Sequence, residues 1–259
     1  MQDRKSRSDQ WNPSEAVTQE IIGEYEGGKS ARQLGFKYNV ADVTITSLLK
    51  RRGVFVRNRS NAKRTNQIRE NIFDTITEES AYWVGFILAD GNIYHPPRRS
   101  KQLNLGLAAK DWEHLEKFKK FVGSDKPLYY NKNGVFLSIY SNRIVEKLAE
   151  YGIVPRKSRI AKVPEALKSN RHFWRGMIDG DGWVSKKILG ICGTYDVVVN
   201  FHQFISHILG WSPNVSPYKK TDCCWEIKYA GKYIARLLCA LYDNTSISLT
   251  RKYLSAIGV

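Results

Sequence analysis

The pattern of apolar and polar positions along this chain changes character twice. From Pro13 to about Val56 the apolar residues recur at helical spacing. Ser14 is placed to cap a first helix, "EAVTQEIIGEYEG", with Ala16, Val17, Ile21 and Ile22 on one face. Gly27-Gly28 ends it, Ser30 starts a second helix, "ARQLGFKY", and Asn39-Val40 turns into a third, "DVTITSLLKRRG". Ala31, Leu34, Val40, Ile45, Leu48 and Leu49 supply a small core. The next stretch, "RNRSNAKRTNQIR", is basic and polar and reads as a linker over 57–75. Beyond it the pattern alternates between long apolar runs and strand-like period two.

The later region is doubled. "YWVGFILADGNIY" begins at Tyr82, and "FWRGMIDGDGWV" runs from Phe173 to Val184. Asp90-Gly91 recurs 91 residues on as Asp181-Gly182, and Gly85 recurs at the same offset as Gly176. "LGLAAKD" from Leu105 matches "LGICGTYD" from Leu189, each leading into a helix that ends in Gly. Hairpin-like stretches follow, the first with Asn133-Gly134 as its turn, and each copy closes on a helix, "NRIVEKLAEYG" and "KYIARLLCALYD". The expected fold class is therefore α+β. Two pseudo-symmetric α-β-β-α-β-β-α halves carry a saddle-like antiparallel sheet, and a small all-α helix-turn-helix domain precedes them. The expected boundaries are a disordered tail at 1–12, the helical domain at 13–56, the linker at 57–75, half one at 76–154, a linker at 155–169 and half two at 170–259.

Composition narrows the partners. Among 259 residues there are 41 Lys and Arg against 25 Asp and Glu, a net charge of +16, which points to a polyanion. The longest apolar run, Ala81 to Ala89, is about half of the ~20 residues a membrane span needs. The N-terminal "MQDRKSRSDQ" has no signal-peptide core, so the expectation is an intracellular protein. Cys192, Cys223, Cys224 and Cys239 have neither a disulfide framework nor zinc-knuckle spacing and read as free thiols.

The paired motif carries the chemistry. Gly85 and Ala89 in one apolar helix, and Gly176 and Gly180 in the other, form flat stripes at i and i+4. Two parallel helices packed on those stripes approach closely, with Trp83, Phe86, Ile87, Trp174, Met177 and Ile178 turned into the core. Their C-terminal ends meet, and Asp90 comes beside Asp181. Like charges held close at two negative helix ends disfavour one another, and a hard divalent cation, Mg²⁺ or Mn²⁺, resolves the conflict. Such an ion serves hydrolysis of a phosphodiester. One Asp-Gly after an apolar run is an ordinary helix-ending turn; two at matching offsets, each with Gly five residues upstream, are not.

At these residues the chain resembles the LAGLIDADG homing endonucleases of the single-chain, two-motif type. "WVGFILADG" and "WRGMIDGDG" stand as the motif copies, and the resemblance spans roughly Ile76 to the C-terminus. It implies that Asp90 and Asp181 bind the catalytic metals, with the backbone carbonyls of Ala89 and Gly180 also in contact. The motif's earlier Asp is present as Asp179 but is Leu88 in the first copy. The family's basic residue on a late strand matches Lys228, and the first half has Ser138 there, so the half-sites are expected to be unequal.

The resemblance further implies a monomer that binds double-stranded DNA at a long, pseudo-palindromic or asymmetric site. It would cut both strands across the minor groove and leave short 3′ overhangs. Base-reading candidates are Gln102 and Asn104, which alternate with core-facing Leu103, Leu105 and Leu107, then Asn92, Tyr94, Ser185 and Lys187. Arg98 and Arg99, in the insert "HPPRRSK", suit phosphates. Thr44, Ser47 and Arg51 share a face of the third N-terminal helix and suit a major groove. The rival readings are a non-cleaving DNA-binding regulator and an RNA maturase on the same scaffold. The Met-Gln start and Gly-Val end argue against an intein.

Overall fold

The computed structural model describes residues 11–56, 67–97 and 99–258. The chain divides into two units, residues 1–65 and 66–259. The expected N-terminal tail (apart from residues 11 and 12), most of the basic linker and Arg98 lie outside the described residues.

In the smaller unit three helices, α1 (Glu15–Glu26), α2 (Ala31–Lys37) and α3 (Asp42–Arg51), surround one core. Ser14 caps α1, and Ser30 caps α2 through a reciprocal box with Gln33. Of the expected face of α1, Ile21 is buried and Val17 and Ile22 pack against the core, while Ala16 is exposed and Thr18 and Tyr25 are buried in addition. Leu34, Ile45, Leu48 and Leu49 complete the core.

The larger unit begins earlier than the sequence pattern suggests. Residues 67–75 were expected in the linker, yet Phe73 is fully buried and Ile68 and Ile72 pack against the main core. Arg69 binds the carbonyls of Lys120 and Phe121, and its own amide donates to Val122 O. Three apolar residues inside a basic stretch outweigh its average polarity.

Half one comprises α4 (Glu78–Asp90), β1 (Asn92–Tyr94), β2 (Gln102–Leu107), α5 (Trp112–Val122), β3 (Tyr129–Asn131), β4 (Gly134–Tyr140) and α6 (Asn142–Glu150). Half two repeats this order as α7 (Arg171–Asp181), β5 (Gly182–Ser185), β6 (Ile188–Gly193), α8 (Tyr195–Leu209), β7 (Tyr218–Thr221), β8 (Cys224–Ala230) and α9 (Ile234–Tyr242). An additional helix, α10 (Thr250–Ile257), follows. Each half folds its strands into an antiparallel four-stranded sheet, ordered β1-β2-β4-β3 and β5-β6-β8-β7. Thus the α+β class, with two like halves, is what the chain adopts.

Two local registers differ from the sequence reading. Leu103 pairs with Ile139 as Leu189 pairs with Tyr229, so Leu103, not Leu105, is the counterpart of Leu189. A slip of two residues preserves the buried face, which is why periodicity did not reveal it. The turn between β3 and β4 is Lys132-Asn133, and Gly134 opens β4. Gly134 sits at φ 142°, where a Cβ would come within 2.2 Å of the Leu107 carbonyl oxygen. Among the described residues no helix is long and apolar enough to cross a membrane.

Candidate active site

The axis of the larger unit is the contact between α4 and α7. Thr77 caps α4 with Ser80, and Asn170 caps α7, so both helices start firmly. A Cβ at Gly85 would stand 2.1 Å from the Phe173 carbonyl oxygen, and one at Gly176 would stand 2.0 Å from that of Tyr82. These contacts are reciprocal, since Tyr82 and Phe173 occupy matching positions. One turn on, a Cβ at Gly180 would meet the Ala89 methyl at 2.4 Å. Backbone therefore lies on backbone along the stripe, and Trp83, Phe86, Ile87, Trp174, Met177 and Ile178 fill the core on either side. Glu78, in the first turn of α4, takes the Arg175 guanidinium of α7 at 3.2 Å.

The two helices end on Asp90 and Asp181. Asp90 is exposed at its rim and Asp181 is half-buried. Desolvation raises the pKa of Asp90, with Lys252 and Lys157 pulling it back. Asp181 is pushed up to about 6, first by desolvation and then by the charge of Asp90, again opposed by Lys157 and Lys252. The carboxyls titrate as a pair, the first to ionise raising the second.

Both lysines were absent from the sequence expectations. Lys157 lies in a short 3-10 turn, Lys157–Arg159, within the segment read as a plain linker; it is 5% exposed. Its Nζ donates to the Ala89 carbonyl at 3.0 Å, and desolvation lowers its pKa. Lys252, 6% exposed, comes from α10. Its Nζ donates to the carbonyls of Ile178 at 2.7 Å, Asp179 at 2.8 Å, Gly180 at 3.2 Å and Gly182 at 2.5 Å. Burial brings its pKa down to about 8. Each ammonium thus sits at the negative end of a motif helix. The Ala89 and Gly180 carbonyls, offered to a metal by the resemblance, receive these ammonium groups.

The segments that carry the lysines cross over. Thr194 of half two donates to the Ala161 carbonyl at 2.6 Å, and Asp196 accepts from the Val163 amide at 2.8 Å, holding the segment that follows half one. Asp111 of half one binds Arg251 through both carboxylate oxygens at 3.1 Å, and Lys117 donates to the Ser248 carbonyl at 3.0 Å. Each half therefore grips the trailing segment of the other.

The other predicted residues are distributed over the surface. Asn92 pairs with Asn104, and Tyr94 with Gln102, on the outward face of the first sheet. Ser185 ends β5, Lys187 lies in the turn between β5 and β6, and Arg99 is exposed between β1 and β2. Lys228 pairs with Gly190 and is exposed on β8. Thr44 is half-buried while Ser47 and Arg51 are exposed on α3.

No family model matches the sequence, and no curated protein matches it. In three dimensions the chain is similar to the homing endonuclease I-WcaI, solved bound to its DNA recognition sequence, with 16% identity and a TM-score of 0.50; the match covers 71% of this chain and 91% of that one. It is also similar to I-DmoI, solved in complex with DNA and calcium, with 13% identity and a TM-score of 0.50, over 67% of this chain and 92% of the other. A third neighbour, the LAGLIDADG meganuclease I-AabMI bound to uncleaved DNA, matches at 14% identity and a TM-score of 0.48, over 71% of this chain and 90% of that one. At such identities the likeness of the first two is one of fold.

Proposed function

We propose that this chain is a metal-dependent endonuclease that recognises a long double-stranded DNA site and cuts both strands, as the homing enzyme of a mobile element. One observation carries the reading. Two helices locked by reciprocal glycine contacts end on Asp90 and Asp181, whose carboxyls share one electrostatic environment. I-WcaI and I-DmoI, which have this fold, were solved with DNA. A pure DNA binder gains nothing from two carboxylates held where phosphates approach.

Two carboxyls whose pKa values desolvation raises, the Asp90 charge adding to the shift of Asp181, suit a hard divalent cation, Mg²⁺ or Mn²⁺, and Asp90 and Asp181 are the residues that would hold it. When bound, such an ion supplies Lewis-acid stabilisation of a phosphodiester and lowers the pKa of a bound water. The chain's own residues perform the rest. Lys157 and Lys252 hold positive charge at the helix ends, where it offsets the charge that develops on the phosphate oxygens. The outward sheet faces orient the duplex, through Asn92, Tyr94, Gln102 and Asn104 in half one and Ser185 and Lys187 in half two. Lys228 adds charge on the same side, Arg98 and Arg99 take phosphates, and α1 to α3 act as a helix-turn-helix that extends the footprint through Thr44, Ser47 and Arg51. Because both aspartates belong to one chain, the active species is a monomer, and it works where the DNA is.

The test is cleavage of a plasmid that joins the two flanks of the reading frame's insertion point. Full-length protein with Mg²⁺ is expected to linearise it. Asp90→Asn and Asp181→Asn are each expected to abolish double-strand cleavage while retaining DNA affinity in a mobility-shift assay. Full cleavage by either variant removes the assignment of the two aspartates. Tight binding without cleavage by the wild type leaves a DNA-binding regulator instead.

A further inference from the structure

Asp179 stands two residues before Asp181 but faces away from it. It is 1% exposed, and its carboxylate is fully occupied. Oδ2 accepts from the Tyr82 hydroxyl at 2.7 Å and from the Leu249 amide at 2.6 Å, while Oδ1 accepts from the Tyr242 hydroxyl at 2.8 Å. Tyr82 is fixed in turn by His114, whose Nε2 lies 3.0 Å from the same hydroxyl. Three donors offset part of the cost of burying this carboxyl, whose pKa desolvation still raises.

The position of Leu249 gives the cluster its meaning. Leu249 is the N-terminal cap residue of α10, and no side chain of α10 caps that end. Its carbonyl accepts from the Lys252 amide at 2.9 Å, so Lys252 lies within the first turn of that helix. The Lys252 ammonium then returns to the carbonyl of Asp179 and its neighbours on α7. One residue therefore holds the lysine from two directions. The carboxylate seats the start of its helix, and the backbone carbonyl receives its charged end. Half one has no counterpart: the matching position is Leu88, apolar and 3% exposed.

We propose that Asp179 is a positioning residue for Lys252, setting that ammonium at the end of α7 and with it the rate at which one of the two DNA strands is cut. The inference rests on the endonuclease reading. Its signature is strand asymmetry, because Lys157, at the end of the half-one motif helix, is placed without such a carboxylate.

The experiment uses full-length protein on supercoiled target plasmid, with each strand end-labelled and nicked and linear products followed over time. Asp179→Leu copies the half-one residue, and Asp179→Asn keeps the shape while removing the charge. Each is expected to slow cleavage of one strand by about 10- to 100-fold, in the range found when the group supporting an active-site residue is removed. The other strand and the DNA affinity should be little changed, so nicked plasmid accumulates. Lys252→Ala is expected to slow the same strand. The double variant Asp179→Asn with Lys252→Ala should be no slower than Lys252→Ala alone, because two residues that act through one contact are not additive. Multiplicative losses in the double variant, equal slowing of both strands, or wild-type rates in Asp179→Asn would each overturn the inference. Wild-type protein that binds the plasmid without cutting it overturns the functional reading, and this proposal with it.

Discussion

The two sheets are built on one plan and furnished differently. In the first, Asn92, Asn104 and Ser138 lie side by side across β1, β2 and β4. The corresponding row of the second sheet is Trp183, Gly190 and Lys228 across β5, β6 and β8. Gly190 is small because the Trp183 indole lies on it; a Cβ there would come within 2.3 Å of the ring. One half thus offers three short hydrogen-bonding side chains, and the other offers an aromatic plate beside an ammonium. On the function proposed above, a polar row would suit base edges, whereas a ring and a charge would suit groove shape and phosphate. Equivalent strands can therefore do unequal work: register decides which side chains line up, and the residue types decide what they can read.

The sharpest way to break the comparison is to remove the axis both halves share. Gly176→Ala places a methyl group against the Tyr82 carbonyl, backbone that cannot move aside without separating α4 from α7. The expected cost is on the order of 3 kcal/mol or more, read by chemical denaturation, with both strands losing cleavage together. Retained stability would mean that the helices are not packed on their glycines.

A smaller effect follows from pH. Asp181, raised from 3.8 to about 6, holds a proton in the folded protein that the unfolded chain has released. Between those values its contribution to stability grows as pH falls, and it is absent above about 6. Metal binding needs the ionised form, so its slope has the opposite sign. Melting temperature without metal should decline as pH rises from 5 to about 7 on this account, while the increase produced by added Mg²⁺ should grow. A Mg²⁺ increment that is flat across this window would detach the ion from Asp181.

The finest distinction lies between the two rows. Asn104→Ala should relax base preference in one half-site, worth about 1–3 kcal/mol per lost bidentate contact, as measured by selection from randomised DNA. Trp183→Ala should weaken binding more evenly across sequences. Identical profiles for the two variants would erase the difference between the sheets.

Much of this architecture was legible because repetition is a strong signal. Gly85 and Gly176, Asp90 and Asp181, and the strand alternation all recur at nearly constant offsets. The two lysines escaped notice because they do not. They are 95 residues apart rather than 91, and they follow the closing helices in unlike settings, Lys157 in a 3-10 turn and Lys252 in the first turn of α10. A faint trace was present in the Arg-Lys pairs, Arg156-Lys157 and Arg251-Lys252, one after each closing helix. Lys228 was easier to find because a strand position aligns between the two copies. Phe73 was hidden for a similar reason, since average polarity over a window conceals a single residue that anchors a core.

The crossed grip of each half on the other's trailing segment bears on how such a molecule can be taken apart. Cut between α6 and α7, either piece would expose a glycine-striped helix to water. The first piece would also lose Thr194 and Asp196, which hold the lysine segment behind it, and the second would lose Asp111. Neither half carries all the contacts that hold its own trailing segment. A gene fragment encoding one of them is expected to need a second chain bearing a matching stripe in order to fold.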